Sequence, residues 1–263
     1  MAKSNTIELP GGERITILYE DRAVMAIDKP PGWMLVPFSW QSTNLNLQAA
    51  LVSSIAARDF WARSRNLRFL RYVHRLDAET SGILLLGKSP GAVRTLGSLF
   101  EGRRMEKIYW AVIDTAPRET EWDCCLPLGP DPGQRGKMRV DRRNGKDAAT
   151  TFRVLEQANK RWLIEARPRT GRTHQIRVHL AAAGCPICGD TLYHPTHSWS
   201  YGMGLRAVSL GYQDPFTRKH VSIHAPIEDF LKQFSFGERT SGSKASHAYR
   251  HFHQNERNYK DRI

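Results

Sequence analysis

The chain has 263 residues, enough for one large domain or two small ones, and 40% of them are hydrophobic. It holds no apolar run of roughly 18 residues, and its first residues, MAKSNTIELPGGER, lack an apolar stretch. That leaves no candidate for a membrane-spanning helix or a secretory leader, so a cytoplasmic protein is expected. Thirty-nine Lys and Arg against 26 Asp and Glu give a formal charge of +13, which favours a polyanionic partner.

Taken in chain order, residues 1–12 read as an N-terminal extension. ERITILYEDRAVMAID, residues 13–28, shows two strand patterns around a Glu20-Asp21-Arg22 turn, and KPPG ends the second. Residues 45–57 are predicted helical. GILLLG, residues 82–87, is a short apolar run suited to a buried strand. Residues 90–101 form a predicted helix with Pro90 near its start, and MEKIYWAVI, residues 105–113, a strand.

The stretch 127–147 turns rich in Gly, Pro and Arg, as in an exposed hairpin or loop. TTFRVLEQ and RWLIEARP then read as paired strands across ANK. THQIRVHLAAAG predicts a helix with Thr173 capping its start and Gly184 closing its end. Its apolar stripe would be Ile176, Leu180 and Ala183. LRAVSLGY and KHVSIHAP flank a QDPFTR turn, and a short helix is expected over 227–234. From Gly237 the chain reads as a basic, disordered tail, residues 237–263. Many strands with few helices predict an α+β domain over 13–236, with a mixed, mostly antiparallel β-sheet and flanking helices.

Three polar clusters stand out. HRLDAETSG, residues 74–82, packs His74, Arg75, Asp77, Thr80 and Ser81 against the predicted strand. A turn explains Asp, Thr, Ser and Gly. It explains His74 and Arg75 less well. PRTGRTHQIRVHL, residues 168–180, gathers Arg169, Arg172, His174 and Arg177 around a helix N-terminus, where backbone amides and guanidiniums together suit an anion. Arg177 flanks the buried stripe, and a partly buried arginine calls for a carboxylate. In KIYWA, residues 107–111, Lys107 and Tyr109 share one strand face.

The four cysteines are Cys124, Cys125, Cys185 and Cys188. The CxxC at 185–188 with His194 and His197 is a conceivable zinc set. The other pair has no gap, and buried free thiols explain the cysteines better.

HRLDAETSG, KIYWA, TGRTHQIRVHLAAAGCPICGD and ILYEDRAVMAIDKPPGWMLVP, in this order and spacing, resemble the RluA-type pseudouridine synthases. The resemblance runs from about residue 16 to 230. It implies isomerisation of uridine to pseudouridine in structured RNA, on a mixed, mostly antiparallel sheet, with no metal or organic cofactor. It places the essential aspartate at Asp77, the active-site tyrosine at Tyr109 and the salt-bridging basic residue at Arg177. It assigns Arg75 to the gap left by the extruded base. His74, Thr80, Arg172 and His174 are the further residues expected at the RNA, and Leu205 and Ile176 at the uracil pocket.

The chemistry suits these residue types. The glycosidic bond must break, the base turn, and a bond form through carbon 5. A carboxylate can attack the ribose or base, or stabilise charge on the sugar. A nearby arginine favours its ionised form. The target base must leave its stack.

The chain departs from the family pattern in places. Cys185 and Cys188 stand where relatives carry histidine and an aliphatic residue. Arg206 stands for histidine, and His194 for glycine after tyrosine. A monomer without the small RNA-binding front domain of many relatives is expected. RNA contact would then fall to the catalytic domain, the 127–147 loop and the tail, with a tRNA or rRNA stem-loop as target. A non-catalytic RNA-binding or assembly factor with the same fold is the alternative.

Overall fold

A computed structural model describes residues 3–9, 12–35, 45–194 and 201–236. The predicted tail and His197 lie outside the described residues. The elements in chain order are β1 (Thr6–Glu8), β2 (Arg14–Glu20), β3 (Val24–Lys29), α1 (Leu47–Ala56), α2 (Phe60–Arg63) and β4 (Arg71–Tyr72). Next come β5 (Ser81–Gly87), α3 (Pro90–Glu101), β6 (Met105–Ile113), β7 (Glu121–Cys124), β8 (Leu128–Pro130) and β9 (Met138–Val140). The last are β10 (Thr150–Ala158), β11 (Arg161–Pro168), α4 (Gln175–Ala182), β12 (Leu205–Gln213), β13 (His220–His224) and α5 (Glu228–Gln233). The class is α+β, with mixed, mostly antiparallel sheet.

The chain divides into two compact units, Met1–Tyr109 with Leu205–Ala225 and Trp110–Gly204 with Pro226–Ile263. The segment 1–12, expected as an extension, contributes β1, which pairs antiparallel with β2.

In the first unit the strand order is β1-β2-β3-β5-β12. The neighbours pair antiparallel except β5 with β12, which run parallel. Side chains alternate across this sheet, as strand geometry requires. Met25, Ile27, Leu84 and Leu86 enter one core with Leu47, Leu51 and Trp61 from α1 and α2. Val24, Ala26, Ile83 and Leu85 enter the opposite core with Ala92, Leu96 and Leu99 from α3. Both faces are covered, so β5 reads as a continuous apolar run rather than an alternating one.

α3 starts where its sequence dictates. Ser89 accepts the Ala92 amide at 3.1 Å, and Pro90 fills the first turn, where no N–H is needed.

In the second unit β7, β10 and β11 form an antiparallel meander. The β10–β11 turn uses Asn159 and Lys160, both at positive φ, as a two-residue hairpin requires. β8 and β9 pair as a separate hairpin inside the expected exposed segment.

α4 differs from its prediction at its start and in its apolar stripe. His174, not Thr173, precedes its first turn, at φ 55°, and no side chain caps it. A left-handed residue there starts the helix one position later. Ala183 is exposed rather than part of the stripe. Instead Gln175 to Leu180 are all buried, because the helix is covered on every side over its first six residues. Gly184 does close the helix, at φ 80°.

Cys124, Cys185 and Cys188 are buried free thiols, but Cys125 is exposed. Alternation at the end of β7 turns Cys124 inward and so Cys125 outward.

Candidate active site

The run HRLDAETSG forms the loop between β4 and β5 in the first unit. Its entry is fixed by His74, whose ring stacks on Phe100 at 4.5 Å and 17°. His74 Nε2 accepts the Leu85 amide at 3.1 Å. Only an unprotonated nitrogen can accept, so the bond selects the neutral imidazole. Burial, then the charge of Lys107, pushes its pKa down to about 3, against a weaker opposing bond with the Arg75 backbone.

Arg75 is exposed, Leu76 is buried and Asp77 is half-buried. The Ala78 carbonyl, next to Asp77, accepts from Lys29 Nζ at 2.8 Å and from the Gly32 amide at 2.8 Å. Lys29 also donates to Pro30 O at 2.9 Å. The KPPG segment thus grips the loop from beneath. Lys29 is 0% exposed. Burial lowers its pKa to about 8, although the charges of Glu79 and Asp77 act to raise it.

The loop closes on Thr80, whose amide donates to Asp77 O at 3.2 Å and whose side chain is buried. Gly82 follows at φ 105°, and a Cβ there would stand 2.2 Å from the Ala207 carbonyl oxygen. Glycine is required by both conformation and space. On either side of this exit, Lys29 is paired with Gly82 and Arg206 with Ser81. Arg206 donates to Asp28 Oδ2 at 2.7 Å. Arg206 is therefore engaged with β3.

Tyr109 sits partly buried on β6 against the first core. Its phenol pKa is raised above the ordinary value, by burial first and then by the Asp77 charge. Asp77 and Tyr109 therefore lie within electrostatic reach of each other, and Tyr109 stays protonated at neutral pH. Lys107, two residues earlier on the same strand, is lowered to about 8 by burial. Leu205, an expected pocket residue, is 3% exposed.

The basic cluster 168–180 lies in the second unit. Arg177 is buried and makes a two-pronged pair with Asp190, Nε to Oδ2 at 2.7 Å and Nη2 to Oδ1 at 2.8 Å. Asp190 also accepts the amides of Leu192 and Tyr193, each at 3.1 Å. The Arg177 guanidinium lies over the Tyr193 ring, 5.2 Å from its centroid.

Arg172 Nε donates to Asp147 O at 2.8 Å. His174 Nδ1 meets the Tyr193 hydroxyl at 2.9 Å. Ile176 is 6% exposed. Gln175 uses its whole amide. Oε1 accepts from Thr170 and from the Arg172 amide, while Nε2 donates to Ala149 O and Thr150.

Sequence reasoning missed Lys29, Gln175 and Asp190. Two of them had a visible signal: Lys29 ends an apolar strand directly before a Pro-Pro-Gly break, and Asp190 follows Gly189 at the turn after α4. No group of three or more His, Cys, Asp or Glu is arranged to hold a metal among the described residues. No described helix is long and apolar enough to cross a membrane.

The family described as RNA pseudouridylate synthase matches residues 23–182, which include the Asp77 loop, Tyr109 and Arg177. The chain belongs to the RNA pseudouridine synthase family.

Its curated relatives include an uncharacterized RNA pseudouridine synthase, YlyB, of Bacillus subtilis. That relative is 32% identical over 87% of this chain and 74% of its own length. The dual-specificity RNA pseudouridine synthase RluA of Vibrio cholerae is 32% identical over 76% of this chain and 78% of its own. Ribosomal large subunit pseudouridine synthase C of the same species is 33% identical over 82% and 67%. Among solved structures, human RNA pseudouridylate synthase domain containing 4 superposes with a TM-score of 0.67 at 25% identity, covering 83% of this chain and 91% of that one. The synthase is of the RluA type and isomerises uridine in RNA.

Proposed function

We propose that Asp77 is the carboxylate on which the isomerisation turns, and that Tyr109 and Arg177 also serve the reaction. The observation that carries this reading is the construction of the Asp77 loop. A half-buried carboxylate sits on a backbone tethered by Lys29, Gly32 and His74, within electrostatic reach of a protonated tyrosine. A group meant only for a surface turn needs no such scaffold.

The reaction breaks the bond from ribose C1′ to base N1 and makes one from C1′ to C5. The proton on C5 leaves, and N1 gains one. Asp77, ionised, serves as nucleophile or as the counter-charge to the sugar. Tyr109 keeps its proton, so it edges the base as a hydroxyl and does not act as a resident phenolate. Exposed Arg75, two residues before Asp77, enters the helix where the target base has flipped out, and its planar guanidinium replaces part of the lost stacking.

The substrate is a stem-loop in tRNA or rRNA, bound by a monomer in the cytoplasm. The positive charge of the chain supports an RNA partner, and the name of one relative places that relative's target in the large ribosomal subunit. The test is replacement of Asp77 by Asn in the cell, followed by mapping of pseudouridine across all RNA. The sites made by this synthase should vanish while the protein stays folded. Unchanged pseudouridine at every site overturns the assignment.

A further inference from the structure

The β8–β9 hairpin carries Arg135, Arg139, Arg142 and Arg143 on its exposed surface, in or beside its strands. It is a small ladder of three residue pairs. Such a ribbon has little core of its own and needs an external anchor to hold one orientation.

That anchor is Tyr193. Its hydroxyl accepts the Met138 amide at 2.9 Å and donates to the Met138 carbonyl at 3.1 Å. It also meets His174 Nδ1 at 2.9 Å. A hydroxyl has one proton and two lone pairs. All three contacts are satisfied together when His174 carries its proton on Nδ1 and donates it. The ring packs with Met138 and Val140 of the hairpin against Val178 of α4. Lys137 Nζ lies 5.6 Å from the ring centroid and the Arg177 guanidinium 5.2 Å. The Tyr193 amide donates to Asp190, the carboxylate that holds Arg177. One side chain therefore touches the basic hairpin, the start of α4 and the face of Arg177.

We propose that Tyr193 is a positioning residue that couples RNA engagement by the β8–β9 hairpin to the placement of Arg177. The hydroxyl sets the hairpin and the ring sets the guanidinium. This rests on the assignment of Arg177 to catalysis made above. RNA drawn onto the hairpin arginines pulls on Met138, and Tyr193 transmits that position to the guanidinium through a rigid ring.

Two variants separate the two halves. Tyr193→Phe keeps the ring and removes the hydroxyl. Tyr193→Leu removes both. Hydrogen–deuterium exchange of the RNA-free protein reads the hairpin directly. Loss of both hydroxyl bonds to Met138 should speed exchange at 138–140 by at least about threefold in both variants. Activity is read as tritium released from 5-tritiated uridine in total RNA of cells lacking this gene. In Tyr193→Phe the apparent KM should rise about three- to tenfold with kcat held within about twofold. In Tyr193→Leu kcat should also fall, by about tenfold, as the guanidinium loses its ring.

A purely structural role predicts lower melting temperatures with KM and kcat per folded molecule unchanged, and that result overturns the proposal. So does native exchange at 138–140 in Tyr193→Phe. If kcat falls as much in Tyr193→Phe as in Tyr193→Leu, the division between hydroxyl and ring is wrong. Exchange needs no RNA, so it decides the hairpin anchor even if Arg177→Met leaves kcat intact and the catalytic assignment fails.

Discussion

The Lys29 ammonium donates to the Ala78 carbonyl at 2.8 Å, across 49 positions of sequence. The bond ties the end of β3 to the residue beside Asp77, and it is made by a side chain with no exposed surface. Its geometry and its charge serve different ends. The N–H bonds hold the backbone, while the ammonium places a positive charge beside the Asp77 loop.

A pH dependence follows. Lys29 has a pKa of about 8 in the folded chain against 10.5 for the free group. Between those values the unfolded chain binds the extra proton, so this group makes stability rise with pH. The charge beside Asp77 is lost over the same range. Pseudouridine formation should therefore decline as pH rises through about 8, while urea stability does not. Lys29→Met should lack that decline and run at a kcat about ten- to hundredfold lower throughout, because its loop is no longer held. A wild-type rate that stays flat from pH 7 to about 10 would remove Lys29 from the account.

How much of this was legible beforehand depends on the range of each interaction. α3 and β5 emerged with nearly the right bounds because Ser89, Pro90 and the ILLL run act locally. The strand pair joined through ANK was equally readable, although Ala158 belongs to β10 and only Asn159 and Lys160 form the turn. The β8–β9 ladder was read only as an exposed hairpin or loop, since its strands are three residues long and carry no period. The start of α4 was misplaced because Gln175 is held by Ala149 and Thr150 from a distant strand, which no capping rule anticipates. The polar runs drew attention to Asp77 and Arg177 and the family resemblance to Tyr109, but neither tells what holds them. Lys29 and Asp190 act on residues far along the chain or through a turn, and their partners emerge only once the strands are in register.

Arg177 and Asp190 offer a test of such a long-range contact. Both are buried, with Asp190 1% exposed, and the pair is two-pronged. Asp190→Ala leaves a buried guanidinium without this carboxylate and frees the amides of Leu192 and Tyr193. The expected cost is about 3–5 kcal/mol in urea unfolding. The paired replacement Arg177→Met with Asp190→Leu removes both charges, so it should recover most of that stability while the rate stays low. A double variant that regains activity along with stability would show that Arg177 matters only as a structural cation.

His74 gives the last test, because its hydrogen bond and its titration point the same way. Nε2 must be unprotonated to accept the Leu85 amide, and stacking on Phe100 withdraws the ring from water. Its pKa is about 3 when folded and 6.5 for the free group. As pH falls through 6.5 the unfolded chain takes up a proton that the folded chain refuses, so the stability contributed by His74 is lost progressively down to about 3. His74→Leu abolishes this titration and leaves the Leu85 amide without that acceptor, at a cost of about 1–3 kcal/mol near neutral pH. The difference in urea stability between wild type and His74→Leu should be largest at pH 7 and narrow steadily as the solution is acidified towards pH 4 or so. A difference that stays constant over that range would mean that His74 is protonated as readily in the fold as out of it, and the neutral anchor of the Asp77 loop would have to be abandoned.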